Sequence, residues 1–220
     1  MSFDVSHTAP RAFEVRHVQI ARALFAALAA VMITFTADHS ANVGLAVFSG
    51  FAIATGLVLL LSAWLVYPAG RRAPSVVLGV LMMIAGMIGG LPPLRTTTMF
   101  FVLVIAWAIV TGVAELVAGI VQRRRGDADA RDAILVGAVT LALAVGLLIV
   151  NPAYSLDYFI DEAGAWFTLT GITIAVGLFG GYAAIVAVFL GIAGFSPHRE
   201  AGDSAASVTE AATDPAGERA

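Results

Sequence analysis

The chain contains no cysteine, which excludes disulfides, thiolate metal sites, thiol nucleophiles and thioether haem attachment. It contains no lysine either, so all 12 basic residues are arginine. In an Ala- and Gly-rich sequence this reads as compositional bias and carries no functional weight. Charge is scarce: 12% of residues are charged, against roughly 25% in an ordinary soluble domain. The net charge of -3 and the lack of a broad basic face exclude nucleic acid as a partner. Zinc-protease helix signatures, phosphate-cradling glycine loops and paired intramembrane aspartates are also missing, and no histidine lies inside an apolar run. The sequence therefore predicts neither an enzyme, nor a metal site, nor a cofactor.

What is abundant is hydrophobicity: 60% of 220 residues, with a mean hydropathy of +0.92. Apolar runs of about 20 residues recur, each long enough to cross roughly 30 Å of hydrocarbon as a helix. Strand-like alternation, the mark of a transmembrane barrel, is absent from them. The expected fold is an all-α integral membrane domain of six transmembrane helices arranged as three hairpin repeats, with the lipid bilayer as its partner.

The spans are predicted at 18–36, 43–66, 75–91, 99–121, 133–150 and 163–195, between a polar leader over 1–17 and a disordered tail over 196–220. A signal peptide cleaved after Ala37 is the alternative reading of the first run, but further spans follow and repeat counting needs this helix. Pro92-Pro93 and Asn151-Pro152 terminate the third and fifth runs, because proline cannot continue a helix. The sixth region is too long for one upright span, so it is expected to tilt or bend, with Gly180-Gly181 as the bending point.

Arginine placement orients the bundle. Loops on the cytoplasmic side carry the excess of arginine. With six spans Arg11, Arg16, Arg22, Arg71, Arg72, Arg123, Arg124, Arg125, Arg131 and Arg199 fall on one side, and Arg95 alone on the other. Five or seven spans would break this segregation. Both termini are thus expected in the cytoplasm.

Thr55-Gly56 recurs as Thr111-Gly112 and as Thr170-Gly171, at shifts of one helical hairpin. In lipid, helices associate through close packing of small residues, so these positions are expected to mark helix seams. Ala108, Thr111, Gly112, Glu115, Ala118 and Gly119 share one face of the fourth helix. Further four-residue spacings, Gly86 with Gly90, Ala138 with Ala142 and Gly146, and Gly177 with Gly181, are read as packing faces within the monomer, with a homo-oligomer seam as the alternative.

Glu115 is the acid buried deepest in an apolar run, and ionisable groups at membrane depth are costly. Its repeat counterparts at shifts of one hairpin are Leu59 and Ile174, so packing does not call for a carboxylate there. Arg22, the arginine inside an apolar run, enters from the same side at similar depth. Glu115 is therefore expected to meet Arg22 or a hydroxyl such as Thr111, either as a packing contact or as a titrating site that handles protons or ions. On the other side Tyr154, Asp157, Tyr158, Asp161, Glu162 and Trp166 precede the sixth helix. If that segment is helical, four-residue spacing couples Asp157 with Asp161, and with Glu162 the cluster could respond to pH. The plain alternative is an aromatic interface belt with solvated acids.

The hairpin spacing, the Gly-x-x-Glu-Leu segment at residues 112–116 followed by arginines, and the Asn151-Pro152 turn together resemble the HdeD family of small bacterial acid-resistance membrane proteins. The likeness covers roughly residues 22–194. It implies a six-span protein of the bacterial plasma (inner) membrane associated with acid or general stress tolerance. The alternative is a small proton- or solute-conducting transporter or channel that uses Glu115.

Overall fold

The computed structural model describes residues 14–127, 130–162 and 164–196. Most of the expected leader and almost all of the expected tail lie outside the described residues. Among the described residues six helices are long and apolar enough to cross a membrane: α1 (Val15–Phe35), α2 (Ala41–Leu65), α3 (Ala73–Gly90), α4 (Thr97–Arg124), α5 (Ala130–Ile149) and α6 (Gly171–Phe195). Between α5 and α6 lies an antiparallel hairpin, β1 (Ser155–Ile160) and β2 (Ala165–Thr170).

The helix starts are written in side chains that satisfy the free N–H groups of a first turn. Ser40 accepts from the Val43 amide, Thr96 from Met99 and Thr170 from Thr173. Asp38 in turn accepts from the Ser40 amide and hydroxyl, so Asp38-His39 belongs to a plain turn before α2. Helix α3 ends before Pro92, and Arg95 closes it by donating to the Gly89 and Gly90 carbonyls at 3.4 and 3.1 Å and to Asn42 at 3.2 Å. The arginine that stands apart from the others thus has a local task, because a guanidinium both satisfies terminal carbonyls and suits the negative end of the helix dipole.

The tightest helix pairs are α2 with α3, α4 with α5, and α1 with α6. Two are sequence-adjacent hairpins, and the third joins the first helix to the last and closes the ring. Backbones approach closely along these seams. A Cβ on Gly56 would stand 3.0 Å from the Gly79 carbonyl oxygen, and one on Gly137 2.7 Å from the Leu116 amide. Gly180 and Gly194 of α6 face Ile33 and Ile20 of α1.

Three expectations need correction. The sixth span does not begin near residue 163: β2 occupies Ala165–Thr170, and α6 follows as 25 residues, about 38 Å at 1.5 Å per residue. That length crosses a bilayer with modest tilt, and α6 runs unbroken through Gly180-Gly181. Second, Thr170-Gly171 is not a mid-span seam like Thr55-Gly56 and Thr111-Gly112. Thr170 is the cap of α6, and a Cβ at Gly171 would collide with the Asn151 carbonyl oxygen, so this glycine serves a turn. Third, Ala138, Ala142, Gly177 and Gly181 are exposed on the outside of the bundle. The buried small faces of α5 and α6 are instead those of Gly137 and Ala144, and of Gly180 and Ala183.

Candidate functional site

Helices α2, α4 and α6 meet at the bundle axis. Halfway along, Phe48, Phe51, Trp107, Phe179 and Tyr182 form a buried aromatic layer, with ring centroids from 5.0 to 6.4 Å apart and mostly edge-to-face. Edge-to-face contact sets the positive rim of one ring against the negative face of another. Trp107 directs its indole N–H to the Met82 sulfur at 3.2 Å, and the Tyr182 hydroxyl meets Thr140 at 3.1 Å. The middle of the bundle is filled.

Two turns further along each inner helix, towards the arginine-rich end, stand Leu59, Glu115 and Leu190, and these line a cavity of about 80 Å³. Here the structure brings Arg22 and Glu115 together: the guanidinium Nη2 lies 2.5 Å from the carboxylate Oε1, with the side chains 15% and 4% exposed. Arg22 reaches inward from α1, and Glu115 from α4. One turn towards the helix start, Gln19 donates to Asp132 of α5 at 2.6 Å. Two polar contacts therefore tie α1 to the α4–α5 pair. Thr111 takes no part, since its hydroxyl donates to the Trp107 carbonyl within its own helix at 2.7 Å.

A buried ion pair must recover the cost of removing two charges from water through good geometry and further hydrogen bonds. Here that satisfaction is incomplete, because Arg22 Nε and Gln19 Oε1 are buried and have no protein partner. Both residues line the cavity with Tyr67, Ser75 and Gln122, and a polar space of this size suits ordered water. Chemically the site is a neutralised charge pair beside a small, partly polar chamber near the arginine-rich end of the bundle, two turns from the aromatic layer.

Sequence reasoning missed Gln19, Asp132 and Gln122, although a glutamine one turn before Arg22 on the same face was a visible signal. It also misplaced one counterpart of Glu115. Leu190, not Ile174, occupies the matching depth on α6, because the β-hairpin displaces the start of that helix relative to Thr170-Gly171.

The outer acids are dispersed by the same hairpin. Asp157 sits on β1 and accepts from Thr168 across the strands at 2.6 Å, while Asp161 and Glu162 occupy the turn. Four residues span about 13 Å along a strand at 3.3 Å each, rather than the roughly 6 Å of a helix turn. That exceeds the screening length of about 8 Å at physiological salt, so Asp157 and Asp161 do not form the coupled pair expected of a helix. Tyr158 stacks on Phe167 and Phe159 packs on Trp166 across the strands, leaving an aromatic, exposed hairpin of the kind that suits a membrane–water interface.

No protein-family model, curated protein or solved structure matches this chain.

Proposed function

We propose that this is a non-enzymatic, HdeD-like multi-pass protein of the bacterial plasma membrane, with both termini in the cytoplasm, that supports acid or general stress tolerance through contacts with lipid or partner proteins. The observation that carries this reading is the aromatic layer of Phe48, Phe51, Trp107, Phe179 and Tyr182, which occupies the place where a conducting pore would run. In support, Glu115 already has a cation at hydrogen-bonding distance and is poised as a structural tie between α1 and α4.

A second reading, a small proton or solute transporter that titrates Glu115, draws on the polar chamber around the ion pair. Liposomes carrying the purified protein and a pH gradient separate the two. Flux at the level of empty liposomes is expected, together with loss of acid survival in cells lacking the protein. Flux that Glu115→Gln abolishes would establish the transporter instead.

A further inference from the structure

Between α3 and α4 the helices pack less closely than within the tight pairs, and a groove of about 640 Å³ opens on the outer surface of the bundle at its arginine-rich end. Its walls are aliphatic: Val77 and Leu78 from α3, and Val110, Val113 and Val117 from α4. From Val110 to Val121 it runs about 17 Å along the helix axis. The mouth is different in kind. Gln122, Arg125, Arg71 and Asp127 stand there, where the chain leaves the hydrophobic zone.

The charges at the mouth do not cancel. Arg71 pairs with Asp127 at 3.0 Å, whereas no acid among the described residues pairs with Arg125. Arg72 adjoins the site and is held by donation to the Tyr67 carbonyl at 3.1 Å. An apolar slot along α3 and α4, with a guanidinium that no acid among the described residues pairs at the level of the head groups, matches an acyl chain joined to a phosphate of net negative charge. A basic recess between transmembrane helices is the known physical basis of anionic head-group recognition. A zwitterionic lipid could fill the same slot, but its ammonium would offset the attraction.

We propose that the α3–α4 groove is a binding site for an anionic phospholipid, whose acyl chain lies against Val77, Val113 and Val117 and whose phosphate is held by Arg125 beside the Arg71–Asp127 pair. The site touches the buried chamber. Tyr67, Pro74, Leu78, Ala118 and Gln122 line both spaces, so a lipid seated here covers the lateral approach to Arg22 and Glu115. The proposal depends on the protein residing in a bilayer and not on its role in stress tolerance.

The test uses the full chain with Trp64→Phe and Trp166→Phe, which remove the two exposed native indoles and leave the buried Trp107, and with Val117→Trp as the reporter, an exposed position on the groove wall, in phosphatidylcholine vesicles. Either phosphatidylglycerol or phosphatidylcholine with brominated chains is added as the quencher. About a fivefold preference for brominated phosphatidylglycerol is expected from the charge of Arg125. Adding Arg125→Gln should bring the preference close to parity while quenching by brominated phosphatidylcholine persists, which shows that the groove is intact. Arg131→Gln removes the same charge at the same end of the bundle, but on α5, and should leave the preference in place. Equal quenching by both lipids, an equal loss with either arginine variant, or shielding of the reporter by a second copy detected by cross-linking would each overturn the assignment.

Discussion

Arg22 and Glu115 are 93 residues apart in the chain, and a guanidinium nitrogen of the first lies 2.5 Å from a carboxylate oxygen of the second. The contact joins α1, which packs on α6, to α4, which packs on α5. It therefore ties two of the three tight pairs together. Leu59 and Leu190, on the other two inner helices, line the same cavity with apolar side chains.

Removing one partner should cost more than removing both. Arg22→Leu or Glu115→Leu alone leaves an uncompensated charge and should destabilise the protein by about 3–5 kcal/mol. The double variant Arg22→Leu/Glu115→Leu copies the leucines at 59 and 190 and should recover most of that loss. Thermal unfolding in detergent of the four proteins of the double-mutant cycle measures the coupling. Additive losses would mean that the pair is not a unit.

Close backbone approach at Gly137 gives a second test. A Cβ there meets the Leu116 amide at 2.7 Å and the Gly112 carbonyl at 2.9 Å, both backbone atoms that cannot step aside. Gly137→Ala should cost about 1–3 kcal/mol through forced separation of α4 and α5. Gly181→Ala, where nothing stands within 4 Å, should be neutral or stabilising by up to about 1 kcal/mol, since alanine is the better helix former. The same unfolding assay compares them, and equal effects would contradict the assignment of inner and outer faces.

Arg95 holds the last carbonyls of α3 and the Asn42 side chain. Arg95→Ala should lower stability by about 1–2 kcal/mol, in the range of hydrogen bonds to a charged group. Hydrogen exchange should quicken in the last turn of α3 while α5 stays protected. Uniform loss of protection would show that the residue acts globally rather than as a helix cap.

In the hairpin, Gly164 has a φ of +59°, a left-handed conformation that a β-branched residue occupies only with strain. Gly164→Val should cost roughly 1–2 kcal/mol, read as faster exchange in β1 and β2 with the six helices unchanged. Slower exchange in the hairpin would contradict that turn.

Much of the fold was legible because hydropathy reports directly on it. Runs near 20 residues with few charges locate spans, and the arginines beside Tyr67 and after Val121 mark one end of the bundle. The hairpin between α5 and α6 escaped because the second strand, within residues 163–170, is apolar and aromatic enough to merge with the span that follows, while the acids before it are spaced as they would be on a helix face. A hydropathy run does not distinguish a strand from a helix; the aromatic pairs around Gly164 were the available sign of two strands and a turn. The small-residue stripes misled for a related reason. Four-residue spacing fixes which residues share a helix face, whereas the neighbours decide which face turns inward, and Ala138 and Gly177 turned out.

The sequence by itself determined the number of spans, the segregation of arginine to one end and the isolation of Glu115 in an apolar helix, since each follows from the cost of placing charge in hydrocarbon. Only the tertiary structure decided that α6 closes on α1, that aromatic rings fill the axis, and that Arg22 rather than Thr111 neutralises Glu115. Those outcomes depend on the rotation of each helix about its own axis, which close packing among small side chains sets and hydropathy does not encode.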